Sequence, residues 1–140
     1  MTVGEAITRV DNLKPNQYGT EDKVHWLATL DGKIVREVMA GHEGAEAVVE
    51  GFAGYDPATD LDKEMLVAEP YADLYLHHLM AQIDYHNAEM TRYNNSMVMF
   101  NMAFSAYAAW YNRTHMPLQQ NHVRTSIAGD GVRRQAGWEV

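Results

Sequence analysis

Between Met97 and Arg113 the chain carries apolar residues on nearly every side of a helix, and this constrains the fold more than any other feature. Such a helix has no solvent face of its own, so its own chain or neighbouring chains must enclose it. A bilayer crossing needs about 20 apolar residues. This run is shorter, and Asn101 and Ser105 interrupt it one helical turn apart. The reading is a buried helix.

The remaining pattern is helical as well. Thr2-Val3-Gly4-Glu5 has the spacing of a capping box, and Val3, Ala6, Ile7, Val10 and Leu13 follow at helical intervals before Pro15. A helix this short needs a surface to dock on. Gly19-Thr20 opens a second helix, with Glu21 and Asp22 at the positive end of its dipole. Its apolar face runs from Val24 to Val38, and Asp31-Gly32 reads as a break, a kink or a weak point within it. Gly41, Gly44, Gly51, Gly54 and Pro57 punctuate the next stretch, where Val48-Val49 and Met65-Leu66-Val67 fit a turn of helix or a short strand. Pro70 suits the first turn of a third helix. Ala72, Leu76, Leu79, Met80, Ile83 and Met90 form that helix's stripe, with Asp73, His77, Asp84 and Glu89 outward. Tyr93-Asn94-Asn95-Ser96 reads as a bend and a new N-cap. The expectation is four helices near 3–13, 20–40, 70–92 and 96–113, in an all-α domain over 1–117. A long acidic loop separates helices 2 and 3, and an extended tail runs over 118–140.

At 140 residues this is the size of one domain. The N-terminus shows no basic segment ahead of an apolar run, so no signal peptide is expected. With no cysteine, disulfides and thiolate metal sites are excluded. Nineteen acidic against eleven basic residues make the chain a poor general DNA binder, since phosphate contacts need clustered Lys and Arg. Ten of the acids fall between Glu37 and Asp73, opposed only by Lys63. They form either a solvated face or loop, or a surface that meets a basic partner or repels DNA. The tail reverses the sign locally with Arg124, Arg133 and Arg134, among sparse apolar residues such as Trp138.

Catalytic and metal patterns are weak. His77 and His78 are adjacent and point about 100° apart on a helix, and no Glu is followed by His three residues on, as di-iron bundles require. Asp60, Asp62 and Glu64 alternate like a calcium loop but lack its glycine and bidentate Glu. No serine lies in a nucleophile elbow, and Gly129-Asp130-Gly131 lacks the context of a phosphate loop. No enzyme, metal or cofactor is expected. Aromatic residues and methionines exceed what a core of this size hides, and these types are enriched at protein interfaces. The interface candidates are Tyr107, Trp110, Tyr111, Arg113 and His115, with Arg124, Arg133, Arg134 and Trp138 in the tail.

Two segments carry a family resemblance. One is Glu69-Pro70-Tyr71-Ala72-Asp73-Leu74-Tyr75 continuing through Ala81-Gln82-Ile83-Asp84-Tyr85 to Tyr93-Asn94-Asn95-Ser96. The other is Met97-Val98-Met99-Phe100-Asn101, ending in Tyr111-Asn112-Arg113-Thr114-His115-Met116-Pro117. Together they resemble the C-terminal helical pair of head–tail connector (adaptor) proteins, encoded by tailed bacteriophages and prophages beside the capsid and portal genes. The resemblance covers about half the chain and leaves the tail unmatched. It implies an adaptor-like four-helix bundle in a ring of about twelve subunits, a closed homo-oligomer. That ring would sit in the virion neck under the portal protein, meet a tail-side connector or stopper protein, and extend the DNA channel. DNA would pass only as cargo, and the subunit would be made in the host cytoplasm. The channel-facing candidates are then Asp56, Asp60, Asp62 and Glu64. The competing expectation, from another class, is a small helical regulatory or protein-binding module of a bacterial host.

Overall fold

In this computed structural model residues 1–118 are described, and all their regular structure is helical. The order is α1 (Val3–Leu13), α2 (Thr20–Ile34), α3 (Glu46–Gly51), α4 (Asp73–His86) and α5 (Met90–Thr114). The tail candidates Arg124, Arg133, Arg134 and Trp138 lie outside the described residues. Among the described residues no strand forms, only isolated bridges between Thr2 and Glu64 and between His42 and Pro117.

Local chemistry sets the first two helices where the sequence put them. Glu5 N–H donates to Thr2 Oγ1 at 3.1 Å and Thr2 N–H to Glu5 Oε1 at 2.9 Å, which closes the capping box of α1. Val3, Ala6, Ile7 and Val10 turn inward from it. Gly19 caps α2, which runs through Asp31-Gly32 without a break. The helix then widens into one π-turn, Val35–Met39, closed by Ala40 N–H on Val35 O at 2.9 Å.

Within the acidic stretch Val48-Val49 take the helical alternative, in the short helix α3. Two expectations shift. Pro70 stands ahead of α4 instead of in its first turn: the Glu69–Pro70 peptide is cis and helical turns begin only at Asp73. The turn between α4 and α5 lies at residues 87–89, not at Tyr93–Ser96. There Glu89 N–H reaches Asp84 O (2.9 Å) and Ala88 N–H reaches Tyr85 O (3.0 Å), a Schellman end with Ala88 at φ 60°. Tyr93-Asn94-Asn95-Ser96 therefore forms the early turns of α5, where Asn94 and Asn95 face solvent.

The core lies where α1, α2 and α4 meet, around Val3, Val10, Val24, Leu27, Ile34, Leu74, Leu79 and Ile83. Two buried carboxylates tie it together. Asp84, expected to face outward, is fully buried and takes Lys14 Nζ at 2.8 Å and Ser96 Oγ at 2.9 Å, so α1, α4 and α5 share one anchor. Asp31, also fully buried, accepts from Tyr55 OH, from Tyr75 OH at 2.6 Å and from Leu66 N–H at 3.4 Å. Tyr75 OH in turn accepts Val67 N–H at 2.9 Å, which pins residues 55–67 onto α2 and α4.

Candidate functional site

α5 packs along α4 with one side only. Tyr93, Met97, Phe100, Phe104, Tyr107 and Tyr111 recur every three or four residues on that side, and Tyr107 and Tyr111 are buried. The opposite side is open. Val98 is 57% exposed, Met99 48% and Met102 64%, and Asn94, Asn95, Asn101, Ser105, Ala106 and Ala109 extend the same surface. From Tyr93 to Asn112 no residue is charged. The helix that the sequence required to be enclosed is thus covered by its own chain on one side alone. A charge-free helix face bearing three large, half-exposed apolar side chains is the composition of a protein interface core. Burying what remains exposed of Val98, Met99 and Met102 would gain about 1 kcal/mol each.

At the C-terminal end of α5 the sequence candidates converge. Tyr71 and Trp110 lie 5.4 Å apart, Tyr107 and Trp110 5.9 Å, and Tyr111 stacks on His115 at 3.7 Å with the rings 4° from parallel. Together with Met39, Leu66 and Pro70 they line a cleft of about 320 Å³, with Glu69 among its lining residues. Burial holds the Tyr107 hydroxyl well above the usual phenol range, and raises that of Tyr111 with help from the nearby Glu46 carboxylate. His42 closes the end of the helix, Nε2 at 2.9 Å from Asn112 Oδ1 and its ring edge-on to Tyr111. Of the interface candidates, Tyr107 and Tyr111 thus sit mainly in the subunit's own packing, Trp110 and His115 are half-buried on the cleft, and Arg113 is exposed.

The acidic candidates are dispersed in role. Asp60 Oδ2 accepts Asp56 N–H at 2.8 Å and Asp56 Oδ1 accepts Ala58 N–H at 2.8 Å, so this pair builds a turn. Glu64 Oε1 lies 3.0 Å from the Met1 amino nitrogen. Asp62 is exposed and lines an open groove beside Gly4, Thr8 and Arg9. Among the described residues no three His, Asp or Glu side chains converge as a metal site, and no helix is long and apolar enough to cross a membrane.

Sequence reasoning missed His78, Asp31 and Asp84. His78 Nε2–H donates to Trp26 O at 3.0 Å, and burial lowers its pKa to about 4. It lines a groove between α2, α4 and α5 with Phe100, Lys33 and Glu37. The outward reading of Asp84 had no local cue against it, and neither Asp31 nor His78 carried one for burial, because Lys14, Tyr75 and Trp26 come from distant segments. No protein-family model, curated protein or solved structure matches this chain.

Proposed function

We propose that this chain is a structural assembly subunit without catalytic activity, specifically a head–tail connector of a tailed bacteriophage. The open, uncharged face of α5 is the observation that carries the reading. A helix with Val98, Met99 and Met102 in water and no charge over five turns is incompletely buried as a monomer, and a neighbouring copy offers the missing cover. In a ring such a contact is heterologous: α5 of one subunit meets a different surface of the next, and the rotation closes.

The connector form of this assembly draws on the resemblance of residues 69–75, 81–85 and 93–117. Charge supports it as well. Acidic residues such as Asp56 and Asp62 on the channel side would keep passing DNA from adhering, because an anionic wall gives phosphates no counterion to release. The partners in this reading are other copies of the chain, the portal protein and a tail-side connector or stopper protein, with residues 118–140 as the arm toward the portal.

Imaging of particles made with and without the chain tests the proposal. The expected result is a ring of density beneath the portal vertex that is lost without the chain, leaving heads that lack tails. Complete necks in its absence would overturn it. The aromatic cleft favours a second reading, a small binding module of a bacterial host. In that case the purified chain stays monomeric and captures a single partner.

A further inference from the structure

The geometry points to the cleft at the C-terminal end of α5 as a receptor for an arginine side chain, and to Arg124 of the same chain as its occupant. The inference concerns the free subunit and stands independently of the connector reading.

Three features select a cation. First, the lining is aromatic: Tyr71 and Trp110 lie 5.4 Å apart and tilted by 35°, and the stacked pair Tyr111 and His115 lines the same cleft. A guanidinium over a Trp or Tyr face gains from the ring quadrupole, and its plane stacks where a compact ammonium does not. Second, the surroundings are anionic. Glu69 lines the cleft, and Glu46 lies close enough to raise the Tyr111 hydroxyl. Third, the cleft sits against the last turn of α5, where the helix dipole and its final carbonyls favour positive charge. The volume of about 320 Å³ is at the small end for a ligand site and matches one long side chain better than a folded segment.

Connectivity selects the occupant. The chain leaves the described region at Leu118, whose N–H donates to Gly41 O at 2.9 Å. Gly41 is two residues from Met39 and Leu118 three from His115, and both Met39 and His115 line the cleft. The chain therefore passes the cleft's edge just before residues 119–140 begin. That segment carries Arg124, Arg133 and Arg134. Arg124 lies six residues beyond Leu118, a reach of up to about 20 Å. Loop-closure entropy favours this short return over the longer ones from Arg133 and Arg134. An acidic body with an aromatic cleft at its last described turn and an arginine six residues further along the chain are complementary in charge.

The test uses the full chain and its side-chain and backbone NMR resonances. Replacing Arg124 by Gln should move the Trp110 indole resonance and the Tyr71, Tyr111 and His115 signals while leaving that of Trp26 in place. Glu69→Gln should move the same set, and the double variant should shift them less than the sum of the two. Arg133→Gln and Arg134→Gln should leave the set unmoved, and with Val98→Asp and Met102→Asp added to block contact between copies through α5, the cleft signals should not change on dilution. Unmoved cleft signals in Arg124→Gln overturn the inference. So does a response that follows Arg133 or Arg134 instead. Cleft signals that shift on dilution in that background would assign the occupant to a second copy and equally overturn it.

Discussion

Replacing Asp31 by Ala removes one carboxylate that three donors share, and the cost follows from what those donors are left with. Tyr75 is fully buried and Leu66 half-buried, and their O–H and N–H lose their acceptor. Each unsatisfied buried donor costs about 1–3 kcal/mol, whereas the half-exposed Tyr55 hydroxyl finds water and costs less. Opposing this is relief of a desolvated charge. Burial pushes the Asp31 carboxyl above the usual carboxylate range, against the hydrogen bonds from Tyr55, Tyr75 and Leu66 that pull it down. The net loss is about 3 kcal/mol. Urea unfolding followed by circular dichroism reads it as a midpoint lowered by about 2 M, taking a slope of about 1.5 kcal/mol/M. The sign of the pH dependence is set too. A carboxyl whose folded pKa is raised contributes its stability below the unfolded value near 4 and loses it as pH rises through the folded one. The deficit of Asp31→Ala should therefore be larger near pH 4 than near pH 8. A deficit below about 0.5 kcal/mol, or one that grows with pH, would refute the reasoning.

The His78 pKa, lowered to about 4 by burial, makes the protein lose stability as pH falls from about 6.5 to about 4, by roughly 2–3 kcal/mol; in thermal melts His78→Gln should flatten that limb. Ala88 holds a left-handed conformation at φ 60°, so Ala88→Gly should raise stability by about 1 kcal/mol, read as a higher melting temperature. Lys14→Met leaves buried Asp84 with Ser96 as its side-chain partner and should cost about 3 kcal/mol in urea unfolding, while the exposed Arg92→Met should cost under about 0.5. Asp62→Lys should leave the melting temperature unchanged, whereas Asp60→Lys opens the Asp56 turn and lowers stability by about 1 kcal/mol.

What the sequence made legible is the part written locally. The Thr2–Glu5 capping box, the Gly19 start of α2, and the helical character of residues 73–114 depend on neighbours within a turn or two. The end of α4 was misplaced because its left-handed position is filled by Ala88 rather than glycine, while Asn94-Asn95-Ser96 imitated a cap. Asp84 and Asp31 looked like solvent-facing or helix-weakening residues because Lys14 lies 70 residues from Asp84, and Tyr55 and Tyr75 lie 24 and 44 from Asp31. The periodicity of α5 showed that it must be covered, but not that α4 covers a single side. Trp110, Tyr111 and His115 stood out as interface candidates by residue type, and their meeting with Tyr71 and Glu69 on one cleft was not legible.

The central claim, that the open face of α5 is where copies of this chain meet, is tested most directly by the solution mass of the full chain across concentration. Light scattering should show mass rising with concentration toward a closed multimer. The double replacement Val98→Asp and Met102→Asp should hold the chain at 15.8 kDa or close to it, with an unchanged helical circular dichroism spectrum. A native chain that stays monomeric throughout, or a double variant that assembles as the native chain does, would contradict the account.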